Sequence, residues 1–161
     1  AIVNHGMKAR YYHDEIGVNS RLDSMQAAVL RIKLRHLDSY IAARQAAAKY
    51  YPDAFADVDG LETPLISEKS THVFHQYTLK TKGVDRNALQ TFLSEKKIPA
   101  MVYYPVALHN QKAYKRDGVI DADFPVTMDL CDCVISLPMH TELDNEQLEC
   151  ITNSVKEFFN K

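Results

Sequence analysis

The stretch Gly17-Val18-Asn19-Ser20-Arg21-Leu22-Asp23-Ser24-Met25-Gln26-Ala27-Ala28 decides how the rest of the chain is read. Gly17 permits a sharp turn, and Asn19 and Ser20 are residue types that cap helices. The residues that follow have helical period. Leu22, Met25, Val29 and Ile32 form one stripe, and Leu30, Leu34, Leu37 and Ile41 a second. Side by side, the stripes make one broad apolar face. Alanines at 27, 28, 42, 43, 46, 47 and 48 favour the helix further, and Pro52 stands near its end. About thirty residues at 1.5 Å each give about 45 Å of helix, longer than a small domain is wide. Such a helix is expected to bridge two packed bodies or an oligomer interface.

Upstream, Ala1-Ile2-Val3-Asn4-His5-Gly6 runs apolar residues straight into a turn, as if an earlier helix had been cut. A piece of a longer protein is expected. Tyr11-Tyr12-His13, ahead of Asp14-Glu15-Ile16-Gly17, reads as an extended loop or hairpin. Downstream, residues 58–71 form a polar loop with Gly60 and Pro64. The alternation of Val73, His75, Tyr77, Leu79 and Thr81 predicts a strand over 72–82. Asp85 is placed to cap a helix to about Lys97, with Leu89, Phe92 and Leu93 inward. Met101-Val102-Tyr103-Tyr104 is a second short strand, stopped by Pro105. Residues 105–116 read as a loop or broken helix, and 124–134 as a short helix with Pro125 in its first turn. A short apolar run over 135–139 follows. Asp144-Asn145-Glu146-Gln147 makes a capping box for a last helix whose buried stripe is Leu148, Ile151, Val155 and Phe158. The order fits an α+β domain, a small antiparallel sheet with helices on one face.

Composition narrows the function. The 161 residues are 46% hydrophobic and 25% charged, which excludes disordered and fibrous classes. Nineteen Lys+Arg against 21 Asp+Glu leave a net charge of −2, so there is no basic field for a nucleic acid or an anionic membrane. No apolar run approaches the roughly 18 residues that span a bilayer. Three cysteines, Cys131, Cys133 and Cys150, are too few and odd in number for a disulfide framework, and point to a reducing cytoplasm. On a helix, Cys131 and Cys133 diverge by about 200°, so they read as core thiols and not as metal ligands. His72 and His75, three apart on a strand, fall on opposite faces. No metal site is expected.

Four places remain as candidates, each with a plain alternative. Asn19 either caps the long helix or presents its amide beside free N–H groups that favour an anion such as phosphate. Arg21 either pairs with a neighbour or serves a site. Tyr103 and Tyr104 are either a plain strand end or, pointing to opposite faces, one core residue and one that lines a cleft. His109, beside Asn110 and Gln111, has either a site role or a packing role.

Several segments together resemble a known family. Asn4-His5-Gly6, Arg10-Tyr11-Tyr12, the Gly17–Asp23 stretch with Gln26-Ala27-Ala28, Lys33-Leu34, Tyr103-Tyr104-Pro105, Leu108-His109-x-Gln111 and Ser136-Leu137-Pro138-Met139-His140 look like the DegT/DnrJ/EryC1/StrS aminotransferases. These act on nucleotide-linked keto-sugars with pyridoxal 5′-phosphate (PLP). The resemblance covers essentially the whole chain in order. It implies the C-terminal part of a fold-type I enzyme: residues 1–20 as the end of the large domain and an extended arm, 21–56 as the long connecting helix, and 57–161 as the small α+β domain.

The resemblance also implies roles. Asn19 matches an asparagine that reaches the PLP phosphate of the neighbouring subunit in a homodimer. Arg21 and Tyr104 match residues near the sugar. Tyr103 departs from a histidine often found there, and His109 joins the substrate side. The family's Schiff-base lysine lies upstream of the Asn-His-Gly turn, so no catalytic residue is expected here and the chain alone is expected to be inactive. The wording of residues 17–23 is close to members that aminate a 3-oxo UDP-sugar acid, usually from glutamate. Two other readings stand beside this one. One is a PMP-dependent keto-sugar dehydratase, in which a histidine replaces the lysine. The other is a non-catalytic dimerisation or binding module.

Overall fold

A computed structural model describes residues 3–5, 7–9, 12–20 and 22–160. It divides into two compact units, 1–38 and 39–161. Arg10, Tyr11 and Arg21 lie outside the described residues, and with them the expectation for Arg21.

In the first unit, β1 (Met7–Ala9) pairs antiparallel with β2 (Tyr12–His13), the hairpin expected there. Its two ends are tied further out. Asn4 and Asn19 form an antiparallel bridge, with His5 N–H on Val18 O at 3.0 Å and Ser20 N–H on Val3 O at 2.9 Å. The helix begins later than the periodicity suggests: α1 is Ser24–Lys33, and its cap is Asp23, whose Oδ1 accepts the Gln26 N–H at 2.8 Å. Asn19 and Ser20 do not cap it, because their backbone is already committed to the bridge with 3–4. The helical stretch is also not one helix. A 3-10 turn over Leu34–His36 separates α1 from α2 (Leu37–Ala54). The apolar face of α1 is uncovered: Met25, Val29 and Ile32 are 81%, 55% and 61% exposed. Among the described residues, no helix is long and apolar enough to cross a membrane.

The second unit holds the core. Three antiparallel strands, β3 (Leu61–Glu62), β4 (Tyr77–Thr81) and β5 (Val134–Leu137), lie in the order β3-β4-β5. The ladder pairs Glu62 with Lys80 on one side and Thr78 with Ser136 on the other. Between them in sequence come α3 (Arg86–Glu95) and α4 (Pro125–Cys133), and α5 (Asn145–Phe159) closes the chain. Period 2 puts Tyr77, Leu79, Ile135 and Leu137 on one sheet face. There they pack with Ala47, Ala48 and Tyr51 of α2, Leu89 and Leu93 of α3, and Leu148, Ile151 and Val155 of α5. Tyr51 and Tyr77 meet with ring centroids 4.6 Å apart, and the Tyr51 hydroxyl donates to Pro138 O at 2.9 Å. Burial raises the pKa of both phenols, that of Tyr77 to about 12. The caps hold as read: Asp85 accepts the Asn87 N–H, and in the capping box Asp144 and Gln147 bond each other's backbone at 2.8 and 3.1 Å.

Three readings are corrected. The strand predicted over 72–82 starts only at Tyr77. Upstream, Gln45 donates to His72 O at 3.0 Å and Arg44 to Phe74 O and His75 O at 3.1 and 3.2 Å, while Phe74 sits at φ 49°. Side chains of α2 take the carbonyls a ladder would need. The strand predicted over 101–104 shrinks to one bridge, Met101 with Ser136, because Pro99 and Pro105 bracket it and supply no N–H. Of the three thiols only Cys131 is core; Cys133 is half-buried, and Cys150 is exposed on α5. The loop over 58–71 also hides β3, whose two residues carry too little pattern to read.

A residue with no sequence signal ties the unit together. Arg86 is 6% exposed, at the first turn of α3. Its guanidinium donates to Val134 O at 2.8 Å, to Cys131 O at 3.0 Å and to Asn87 Oδ1 at 3.0 Å. The two carbonyls are at the end of α4, where helix geometry leaves them unpaired and the dipole favours a cation.

Arg86→Met is expected to leave both carbonyls buried and unmet and to cost about 2–4 kcal/mol in urea unfolding. Arg86→Lys should recover only part, since an ammonium lacks the planar fork. Gly60 offers a second check. It sits at φ 80°, and a Cβ there would meet Lys82 O at 2.5 Å. Gly60→Ala should cost at least about 1–2 kcal/mol by the same measurement.

Candidate functional site

On the sheet face away from the core, Glu62, Thr78, Lys80 and Val134 floor a cleft of about 1,070 Å³. Thr63, Pro64 and Leu65, just beyond β3, make one wall. Thr127, Leu130 and Cys131 of α4 make another. The segment from Tyr103 to His109, with Gln111 and Phe124, makes the third. Its lining is largely apolar with a few polar tips, as a site for a small molecule needs. Thr78 on the floor shares a hydroxyl–hydroxyl hydrogen bond at 2.8 Å with the buried Ser136.

Each wall is fixed by an identifiable contact. The wall of α4 is held by Arg86 through Cys131 O. The third wall depends on His109. Its side chain is 11% exposed, stacks on Phe124 with ring centroids 4.8 Å apart, and meets Asp121 Oδ1 through Nε2 at 2.8 Å. Asn110 donates to the same oxygen at 2.7 Å, and Asp123 accepts the Ile120 N–H at 3.0 Å. These bonds fold residues 108–124 back on themselves. The Asn110 amide, and then His109, hold the Asp121 carboxyl below the usual carboxylate range.

Of the five residues singled out from sequence, three come together: Tyr103, Tyr104 and His109 all line this cleft. The two tyrosines do not divide between core and cleft. Their rings lie 5.7 Å apart, edge to face. Alternation between faces is a property of strands, and this segment is not one. Asn19 is in the first unit, on the bridge with Asn4, four residues before the α1 cap. Asn19 is therefore not at a helix terminus, and any anion contact rests on its own amide. Lys80, Glu62 and Arg86 were missed. Lys80 and Glu62 belong to a register that pairs two distant segments, and no local pattern announces it.

A carboxylate whose native pKa is depressed adds stability above its unfolded pKa and loses it as pH falls through the native value. The 108–124 fold should thus be intact above about pH 4 and loosen below it. Amide hydrogen exchange at Ile120 and Asp123 should accelerate across that window, and Asp121→Asn should abolish the dependence.

The comparisons agree on kinship. A model of the DegT/DnrJ/EryC1/StrS aminotransferase family matches residues 1–156. The chain is 39% identical over 157 residues to a pleiotropic regulatory protein of Geobacillus stearothermophilus, across 96% of this chain and 42% of that protein. It is 37% identical over 150 residues to the UDP-2-acetamido-2-deoxy-3-oxo-D-glucuronate aminotransferase of Pseudomonas aeruginosa, across 93% of this chain and 40% of that one. The crystal structure of Streptomyces venezuelae DesV in complex with a ketimine intermediate superposes with a TM-score of 0.89 at 33% identity, over 99% of this chain and 43% of that chain. The chain thus spans about two fifths of the length of the relatives it matches. With a match that runs through residues 1–156 of 161 and a fold shared with the DesV structure, the chain belongs to the DegT/DnrJ/EryC1/StrS aminotransferase family.

Proposed function

We propose that this chain is the C-terminal part of an enzyme that uses PLP to move an amino group, from glutamate, to the keto group of a nucleotide-linked sugar. The family match over residues 1–156 carries this reading. A UDP-linked 3-oxo sugar acid is the substrate we favour, since the Pseudomonas aeruginosa relative is named for such a compound. The proton-moving lysine of the family falls upstream of Asn4, so the whole enzyme is active and this chain alone is not.

The residues present fit the cofactor at one point. Asn19 is exposed, its backbone is pinned by the bridge to Asn4, and no described residue hydrogen-bonds its carboxamide. In this reading its amide donates to a phosphate oxygen of the neighbouring subunit's cofactor. PLP, when bound, carries the amine and acts as electron sink. The chain's other residues bind and orient. Tyr103 and Tyr104 offer hydroxyls to the sugar, His109 holds the wall behind them, and Leu65, Val106 and Leu130 keep water from the sugar's apolar edge. A homodimer, with sites shared between subunits, would cover the exposed stripe of α1, which a lone chain leaves in water.

The test is amino transfer by the full-length protein. With PLP, glutamate and a UDP-linked 3-oxo sugar acid, mass spectrometry should find the 3-amino product and one 2-oxo acid per amine. No transfer to any nucleotide-linked keto-sugar would overturn the reading. In the same protein, Asn19→Ala should weaken PLP about ten- to a hundredfold, as loss of an amide bond to a charged group does. Asn19→Asp should weaken it further, by setting a carboxylate against the phosphate. Wild-type affinity in Asn19→Asp, followed by the cofactor's absorbance, would remove the phosphate role.

A further inference from the structure

Glu62, His109 and Lys80 are the acidic and basic side chains among those that line the cleft, and two are already committed. Glu62 faces Lys80 across the β3–β4 ladder but gives its carboxylate to Lys82, outside the cleft. The Lys82 hydrogen bond, first among several influences, lowers the Glu62 pKa, so the carboxylate is ionised and occupied. His109 is bonded to Asp121. Lys80 remains. Among the described residues its ammonium makes no ion pair, although its charge also helps to lower the Glu62 pKa across the ladder.

The surroundings of Lys80 make that free charge consequential. Val134 is its ladder partner on β5, and Leu130, Val106 and Leu65 line the same cleft. Lys80 is itself exposed, so this apolar lining strengthens its pull on an anion only in part. Tyr103 and Tyr104 line the cleft too, and no described residue hydrogen-bonds their hydroxyls. An ammonium with three donors and two phenolic donors is a set for oxygen acceptors that carry negative charge.

We propose that Lys80 determines specificity in this cleft by seating an anionic oxygen group of the substrate, either a carboxylate on the sugar or the nucleotide's diphosphate. This rests on the reading that the cleft takes a nucleotide-linked sugar, and it adds the residue that would tell charged ligands from neutral ones. Arg would serve at this position and an apolar residue would not. The contact is half open to solvent, so it should be worth less than a buried ion pair and should weaken with salt.

The experiment titrates the full-length protein with UDP-glucuronate, UDP-glucose and glucuronate, following backbone amide resonances of the small domain and the Lys80 Nζ signal. Thr78, Lys80 and Tyr103 should shift together. Lys80→Met should weaken UDP-glucuronate about five- to twentyfold, Lys80→Arg should restore most of it, and both variants should melt with the parent, since Lys80 is exposed. If Lys80→Met weakens UDP-glucuronate alone, the seated group is the sugar carboxylate. If it weakens UDP-glucose equally, the group is the diphosphate. UDP-sugars that shift the cleft resonances but bind Lys80→Met as tightly as the parent overturn the role of Lys80 and leave the nucleotide-sugar reading intact. UDP-sugars that shift no cleft resonance in the folded parent overturn both.

Discussion

The buried fork of Arg86 is the constraint on which the second unit depends. One guanidinium joins the start of α3 to the end of α4 and the first residue of β5. It answers two needs at once. A buried cation needs acceptors, and the last carbonyls of a helix need donors. Because Cys131 and Val134 both line the cleft, the same bonds that satisfy the helix end also set the spacing between the cleft's floor and one of its walls. The site is thus built on the packing and not laid over it.

The two faces of a three-stranded sheet then take different tasks. One is filled by Tyr77, Leu79, Ile135 and Leu137 against α2, α3 and α5, and it excludes water completely. The other keeps Thr78, Lys80 and Val134 and leaves space above them. A sheet so small has little area to divide, and loops supply what it lacks. The segment over 103–124 bends around the Asp121 clasp and becomes a wall, its ring stack of His109 on Phe124 closing the gap. Rigid floor and looped walls are the usual division between a scaffold and a binding surface.

The first unit has the opposite economy. Its hairpin and bridge consume backbone hydrogen bonds, but α1 buries no side chain. An amphipathic helix whose apolar side meets only water is not stable by propensity alone. The pattern of Met25, Val29 and Ile32 is therefore a statement about a second surface, one that a homodimer or the rest of a longer chain would provide.

The sequence by itself determined whatever depends on near neighbours. Helical stripes marked the helical segments, Asp85 and the Asp144–Gln147 box marked two helix starts to the residue, and the joint motifs around 17–28 and 103–111 pointed to the family. Tertiary structure decided the rest, for reasons that local chemistry does not contain. The strand over 72–82 lost its first half because Arg44 and Gln45, about thirty residues away, took its carbonyls. Asn19 missed the helix terminus because its backbone partners lie at residues 3–5. Tyr103, Tyr104 and His109 were legible as candidates through resemblance, but only folding put both tyrosines in the cleft and committed His109 to Asp121. Lys80 and Arg86 were not legible at all. A lysine in a strand and an arginine opening a helix are ordinary in sequence, and what makes them matter is which groups, distant along the chain, the fold sets beside them or withholds.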